Sequence, residues 1–108
     1  MKSIYPEIAI LLLDLEGELR NLRVWESEPP SAEALASTQP FCVDTLTLPQ
    51  WLQFVFLPRM SQLVEAEMPL PSNCGIAPMA EEFFRGSELP VQGLVEKLQA
   101  IDARLELG

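Results

Sequence analysis

Apolar residues recur at three- and four-residue steps along most of this chain. Ile4, Ile8, Leu11, Leu12, Leu15, Leu19 and Leu22 follow that spacing, as do Leu94, Leu98, Ile101 and Leu105. A turn of about 3.6 residues gathers such positions on one helical face, whereas a strand would alternate them. No alternating run or hairpin signal interrupts the pattern. The reading is an all-α, compact helical bundle of three long and one or two short helices.

The boundaries follow from local chemistry. Ser3 and Pro6 mark the first start, because the opening turn has no internal N–H bond for a proline to remove. Glu28-Pro29-Pro30 is expected to stop that helix. Ser31 can cap a short turn reaching Ala36. Thr47 and Gln50 form a capping box, in which each side chain accepts from the other residue's backbone amide. The segment after it, Trp51 to Leu57, is apolar nearly all round, as expected of a helix buried on most sides. Pro58 falls inside this long middle helix and predicts a kink there. An amphipathic remainder ends before Met68-Pro69-Leu70-Pro71. Beyond an Asn73-Cys74-Gly75 turn, Pro78 should open a short helix through Arg85, with Gly86 closing it. Ser87 should cap the last helix, with Pro90 in its first turn. Gly17 and Gly93 lie within helices at a cost of about 1 kcal/mol each relative to alanine, and close helix approach is the expected reason.

At 108 residues the sequence predicts one domain, 1–108. Sixteen acids against seven bases give a net charge of −9. Phosphate backbones would repel such a surface unless the bases cluster, and they are scattered, so direct nucleic-acid binding is disfavoured. The two cysteines make neither a zinc site nor a redox pair. Both are read as reduced thiols, with a Cys42–Cys74 bridge as the alternative in an oxidising compartment. No apolar run reaches the ~20 residues that span a bilayer, so no membrane association is expected. Lys2 and Ile8–Leu13 superficially look like a signal peptide, but Pro6, Glu7 and Asp14 interrupt the pattern, so with reduced thiols the localisation expected is cytoplasmic. There is no histidine for proton transfer near neutral pH. Neither a nucleophile elbow nor a phosphate loop occurs, so no catalytic, metal or cofactor residue is assigned and no cofactor is expected.

One region is distinctive. It reads Ser37-Thr38-Gln39-Pro40-Phe41, Asp44-Thr45, Trp51-Leu52-Gln53, Val55 and Pro58-Arg59-Met60, followed by Pro69-Leu70-Pro71 and Ala77-Pro78. In order and spacing it resembles the YqcC family of small bacterial proteins over nearly the full length. The resemblance implies a small cytoplasmic helical bundle with no assigned reaction. Members are often encoded beside a tRNA pseudouridine synthase, and some carry that enzyme's name. Such an enzyme needs a large mixed α/β domain with a catalytic aspartate and an RNA-binding cleft, so that activity is not expected of this short, acidic, helical chain.

The candidate binding or motif residues are Gln39, Phe41, Asp44, Thr45, Trp51, Gln53, Arg59 and Met60. Asp44 can cap its loop, pair with Arg59, or stand as an accessible acid in a groove. Arg59 can bridge loop and helix, or anchor an anion, since a guanidinium fork suits both. Trp51 and Phe54 read more readily as core than as a platform, and Gln53 as a partner for loop backbone groups. Pro69-Leu70-Pro71 lacks the register of a ligand for a proline-reading partner. Two functions stay open. One is a non-enzymatic interaction or accessory protein with a protein partner, a homodimer included. The other is a small-molecule-binding bundle or minimal enzyme, with its pocket near Asp44 and Arg59. The expected geometry has the Gln39–Thr45 loop folded over the helix at Pro58, with Asp44 beside Arg59.

Overall fold

The computed structural model describes residues 4–72 and 75–107; Ser3, Asn73 and Cys74 lie outside the described residues. Helix α1 spans Tyr5–Asn21 and α2 spans Ala32–Leu35. A tight turn at Pro40–Cys42 leads to α3 over residues 48–65. Helix α4 spans Ile76–Phe83 and α5 spans Gln92–Leu107. Among the described residues there is no strand.

The core is the stripe read from the sequence, closed by the other helices. Ile8, Leu12, Leu15 and Leu19 of α1 meet Leu94, Leu98, Ile101 and Leu105 of α5, all buried. Leu52, Phe56, Leu57 and Met60 of α3 and Ile76, Ala77 and Ala80 of α4 complete it. Ion pairs decorate the rim. Arg104 reaches Glu7, and Lys97 lies 3.4 Å from Asp14, so charged side chains of α5 and α1 also meet at the edge of the packed stripes.

Two of the three expected side-chain caps form. Ser31 Oγ accepts from the Ala34 amide at 3.1 Å. The Gln50 amide donates to Thr47 Oγ1 at 3.3 Å, and the Thr47 amide donates to Gln50 Oε1 at 2.8 Å. Helix α4 ends at Phe83 with Phe84 as its C-cap, short of the expected Arg85, so Gly86, at φ 80°, lies in the turn that follows and does not close the helix.

Several boundaries differ from the sequence reading, each because a less local interaction wins. Helix α1 stops well before Glu28-Pro29-Pro30. Arg23 adopts φ 62°, its amide bonds Arg20 O at 3.0 Å, and the Val24 amide bonds Leu19 O at 3.3 Å. That is a Schellman closure with arginine in the place usually held by glycine. Glu67 closes α3 the same way, at φ 51°. Helix α4 begins at Ile76, ahead of Pro78, because Asp102 of α5 accepts from the Ile76 and Ala77 amides at 3.1 and 2.8 Å. A side chain from another helix thus satisfies amides that a helix start leaves open. Ser87 binds the Leu89 amide instead of starting α5, which begins at Gln92.

The irregularity expected at Pro58 takes the form of a π turn just upstream. Helix α3 comprises an α turn at Leu48–Trp51, the π turn at Leu52–Phe56 and an α segment at Leu57–Glu65. The Leu57 amide bonds Leu52 O, five residues back. A proline at 58 donates no amide, and its ring crowds the carbonyl four residues earlier. Widening the preceding turn accommodates the ring without ending the helix.

Candidate functional site

Helix α3 carries two polar side chains that look alike in sequence and behave differently in space. Gln53 is buried. Its Nε2 donates to Glu26 O at 2.7 Å, and its Oε1 accepts from the Glu26 amide at 2.8 Å. Both ends of the amide are used on one residue of the loop after α1, the loop-binding role read from the sequence. Arg59 is exposed, and no ion pair or hydrogen bond joins it to any described residue.

The Ser37–Leu46 loop is fastened by its own polar groups. Ser37 Oγ donates to Asp44 Oδ1 and accepts from the Gln39 amide at 3.1 Å. Thr45 Oγ1 donates to Ala34 O at 2.7 Å. The expected Asp44–Arg59 pair does not form; Asp44 Oδ1 accepts instead from Ser37, seven residues away in the same loop. Gln39, Asp44 and Thr45 therefore shape the loop and do not line the groove described next.

This fastening places Phe41. Phe41 and Cys42 both hold left-handed backbone, at φ 57° and 50°. For residues with a Cβ this costs roughly 1–2 kcal/mol each, so the surrounding contacts must hold it. Cys42 is a buried free thiol. The Phe41 ring meets Trp51 edge-on at 4.8 Å between centroids, and Trp51 stacks on Phe56 at 5.4 Å.

Beside this aromatic row lies an open groove of about 610 Å³. Pro40 and Phe41 form one end. Trp51, Val55, Phe56, Arg59, Met60 and Leu63 of α3 line it, and Pro69-Leu70-Pro71 makes the facing wall. That proline segment is anchored by Tyr5, whose hydroxyl donates to Met68 O at 2.8 Å. Of the sequence candidates, the fold brings together Phe41, Trp51, Arg59 and Met60. It sends Gln39, Asp44, Thr45 and Gln53 to structural positions.

Sequence reasoning had given Pro40, Val55, Phe56, Leu63 and Pro69–Pro71 no place in the site. Their signal was the aromatic density of Trp51–Phe56 beside a proline-flanked leucine, which reads equally as core. Arg59 is the one charged residue among the described residues lining the groove. The surface can hold an apolar segment and present one guanidinium fork to a carboxylate or phosphate.

Comparison with known proteins gives the chain a family. A family model, DUF446, described as "tRNA pseudouridine synthase C", matches residues 7–104. A protein of Escherichia coli K12 named "Uncharacterized protein YqcC" is 34% identical over 103 residues, covering 92% of this chain and 94% of that one. An uncharacterized protein of Haemophilus influenzae is 42% identical over 74 residues, 68% of this chain and 70% of its own length. A protein of Pectobacterium carotovorum named "tRNA pseudouridine synthase C" is 48% identical over 62 residues, which are 57% of this chain and only 16% of that protein. The solution NMR structure of the E. coli YqcC protein superposes with a TM-score of 0.82 at 31% identity, covering 97% of this chain and 90% of that one. By the extent of the family match and by near full-length likeness in both sequence and fold, this chain belongs to the DUF446, or YqcC, family.

Proposed function

We propose that this chain is a non-enzymatic accessory module that holds an apolar, carboxylate-bearing segment of a partner protein in the Trp51–Arg59 groove, and that the partner is a tRNA pseudouridine synthase. The carrying observation is the groove itself, with an aromatic row, a proline wall and one cation that no described residue engages. Trp and Arg are the side chains that most often dominate the energy of protein interfaces. The small-molecule alternative loses support because Asp44 is held by Ser37 and lies off the groove. A ligand pocket of this size usually brings several polar groups to one point, and here Arg59 stands as the single charge among the described residues.

The enzyme partner is suggested by the Pectobacterium protein. In it, sequence similar to this chain is a small part of a longer chain carrying the synthase name. A covalently attached module is held at high effective concentration and needs little affinity. A separate module must supply an interface, and the groove is the surface suited to one.

Calorimetry with a purified tRNA pseudouridine synthase of the C type tests this. Micromolar binding is expected, about −8 kcal/mol. Trp51→Ala and Arg59→Glu should each weaken it at least about tenfold, with helical circular dichroism unchanged. An absence of heat and of co-elution at about 100 μM, near −5.5 kcal/mol, would overturn the enzyme as partner. Binding indifferent to both substitutions would overturn the groove.

A further inference from the structure

Phe41 stands between two apolar spaces. On one side is the Trp51–Arg59 groove. On the other is a smaller cavity of about 220 Å³ where the Ser37–Leu46 loop faces α4, with Leu46, Met79 and Phe83 in its lining. Phe41 lines both.

The backbone that carries this ring is costly. The Val43 amide bonds Pro40 O at 3.1 Å and closes a turn whose two central residues, Phe41 and Cys42, are both left-handed. Such turns ordinarily hold Gly, Asn or Asp at those positions, because a larger side chain is crowded there. Phe and Cys offer no such relief, so contacts made elsewhere must hold the turn. For Phe41 the ring contact is the edge-on meeting with Trp51, and the residue is only half-buried. The flanks are pinned. Ser37 engages both Asp44 and the Gln39 amide, Thr45 holds Ala34 O, and the Leu46 amide bonds Cys42 O at 2.8 Å. Movement is therefore confined to Phe41 and the peptide planes beside it.

The ring has a second place to go. A cavity of roughly 150 Å³ admits a benzene molecule, so the space beside Leu46 and Met79 has room for a phenyl ring. Moving there gives up one aromatic contact with Trp51. It also buries the ring and releases a left-handed residue. Losses and gains oppose one another, the condition for an element with two discrete arrangements. A segment seated in the groove competes for the part of Trp51 that the Phe41 ring covers, so occupancy selects between them.

We infer that Phe41 is a gate for the Trp51–Arg59 groove. In the free chain it is closed against Trp51. It opens into the Leu46–Met79 cavity when the partner's apolar segment takes its place on Trp51. What opens the gate rests on the reading of the groove as a partner site; the existence of two arrangements does not.

The test has two arms. The first uses the free chain, labelled with ¹³C in methyl and aromatic groups. Nuclear Overhauser contacts should place the Phe41 ring on Trp51 in the major state. Relaxation dispersion should reveal a minor state at the Phe41 ring, the Trp51 ring and the Met79 methyl together. Phe41→Ala should abolish that exchange at Trp51 and Met79. Absence of exchange, or exchange that survives Phe41→Ala, would overturn the gate. The second arm is calorimetry with the purified synthase. A gate that is mostly closed lowers apparent affinity by the fraction open. Phe41→Ala should therefore tighten binding at least about threefold, and Met79→Trp, which fills the ring's second place, should weaken it by about as much. Dispersed amide spectra check that both variants fold, and the sign for Phe41→Ala stands without the second variant. If Phe41 is a fixed wall that touches the partner, Phe41→Ala weakens binding, and the inference is overturned. Failure of the synthase to bind the unaltered chain would overturn the partner reading instead, with the gate then decided by the first arm.

Discussion

Gln53 and Arg59 sit six residues apart on one helix and answer opposite demands. Gln53 lies where α3 covers the loop after α1, and both of its polar atoms are spent on the Glu26 backbone. Arg59 lies past the π turn, on the face toward the proline wall, with no described residue on its guanidinium. The first is polar because its own amide is buried and finds both of its partners on the part-buried Glu26 backbone. The second is polar where the fold makes no such demand. A polar residue in an apolar helix therefore speaks of function only after its intramolecular partners have been counted.

Stability measurements can break or sharpen this contrast. The largest effect is expected for Gln53→Leu, which removes the partner of the part-buried amide and carbonyl of Glu26 and leaves α3 without its tie to that loop. Loss of about 2–3 kcal/mol should appear as a lowered denaturant midpoint. A loss below about 0.5 kcal/mol would mean that water replaces Gln53 without penalty and that its burial carries no such role. Asp102→Ala is next. It removes the acceptor for the Ile76 and Ala77 amides, so about 1–2 kcal/mol should be lost, with amide exchange in α4 accelerating first. Gly17→Ala should act in the other direction and stabilise the isolated chain by up to about 1 kcal/mol, because the site is helical and open. The smallest change is expected for Arg59→Ala, below about 0.5 kcal/mol, since the side chain is exposed and unpaired among the described residues. A double-mutant cycle of Asp44→Ala with Arg59→Ala should then show no coupling beyond about 0.3–0.5 kcal/mol. Coupling above that would restore the pair read from the sequence.

The two interior helical glycines teach a similar lesson on a smaller scale. Sequence pattern gave both the same explanation, close helix approach. At Gly93 a Cβ would meet the carboxylate of Glu18, the movable end of a side chain on α1, so a side chain and not a helix backbone lies close there. At Gly17 a Cβ would meet nothing within 4 Å, so close approach within the described chain does not explain that glycine.

What the sequence determined by itself was everything carried by neighbours within about a turn. The helical periodicity fixed the all-α class and the core stripes of α1 and α5. The Thr47–Gln50 box and the Ser31 cap were readable because each bond spans only three residues. Phe41, Trp51, Arg59 and Met60 could be put in one candidate set from their motif, but their meeting in a groove could not. Only the tertiary structure decided that Pro69–Pro71 forms its facing wall, that Asp44 turns to Ser37, and that Asp102 starts a helix 26 residues away in sequence. It also decided that Arg23 and Glu67, in place of glycine, close α1 and α3, and that a π turn absorbs Pro58. Local propensities differ by tenths of a kcal/mol per residue, whereas one buried bond or one apolar side chain placed in the core is worth about 1–3 kcal/mol. Where those contacts come from distant parts of the chain they override the local signal, and the residues that bind are chosen by what remains exposed once they are made.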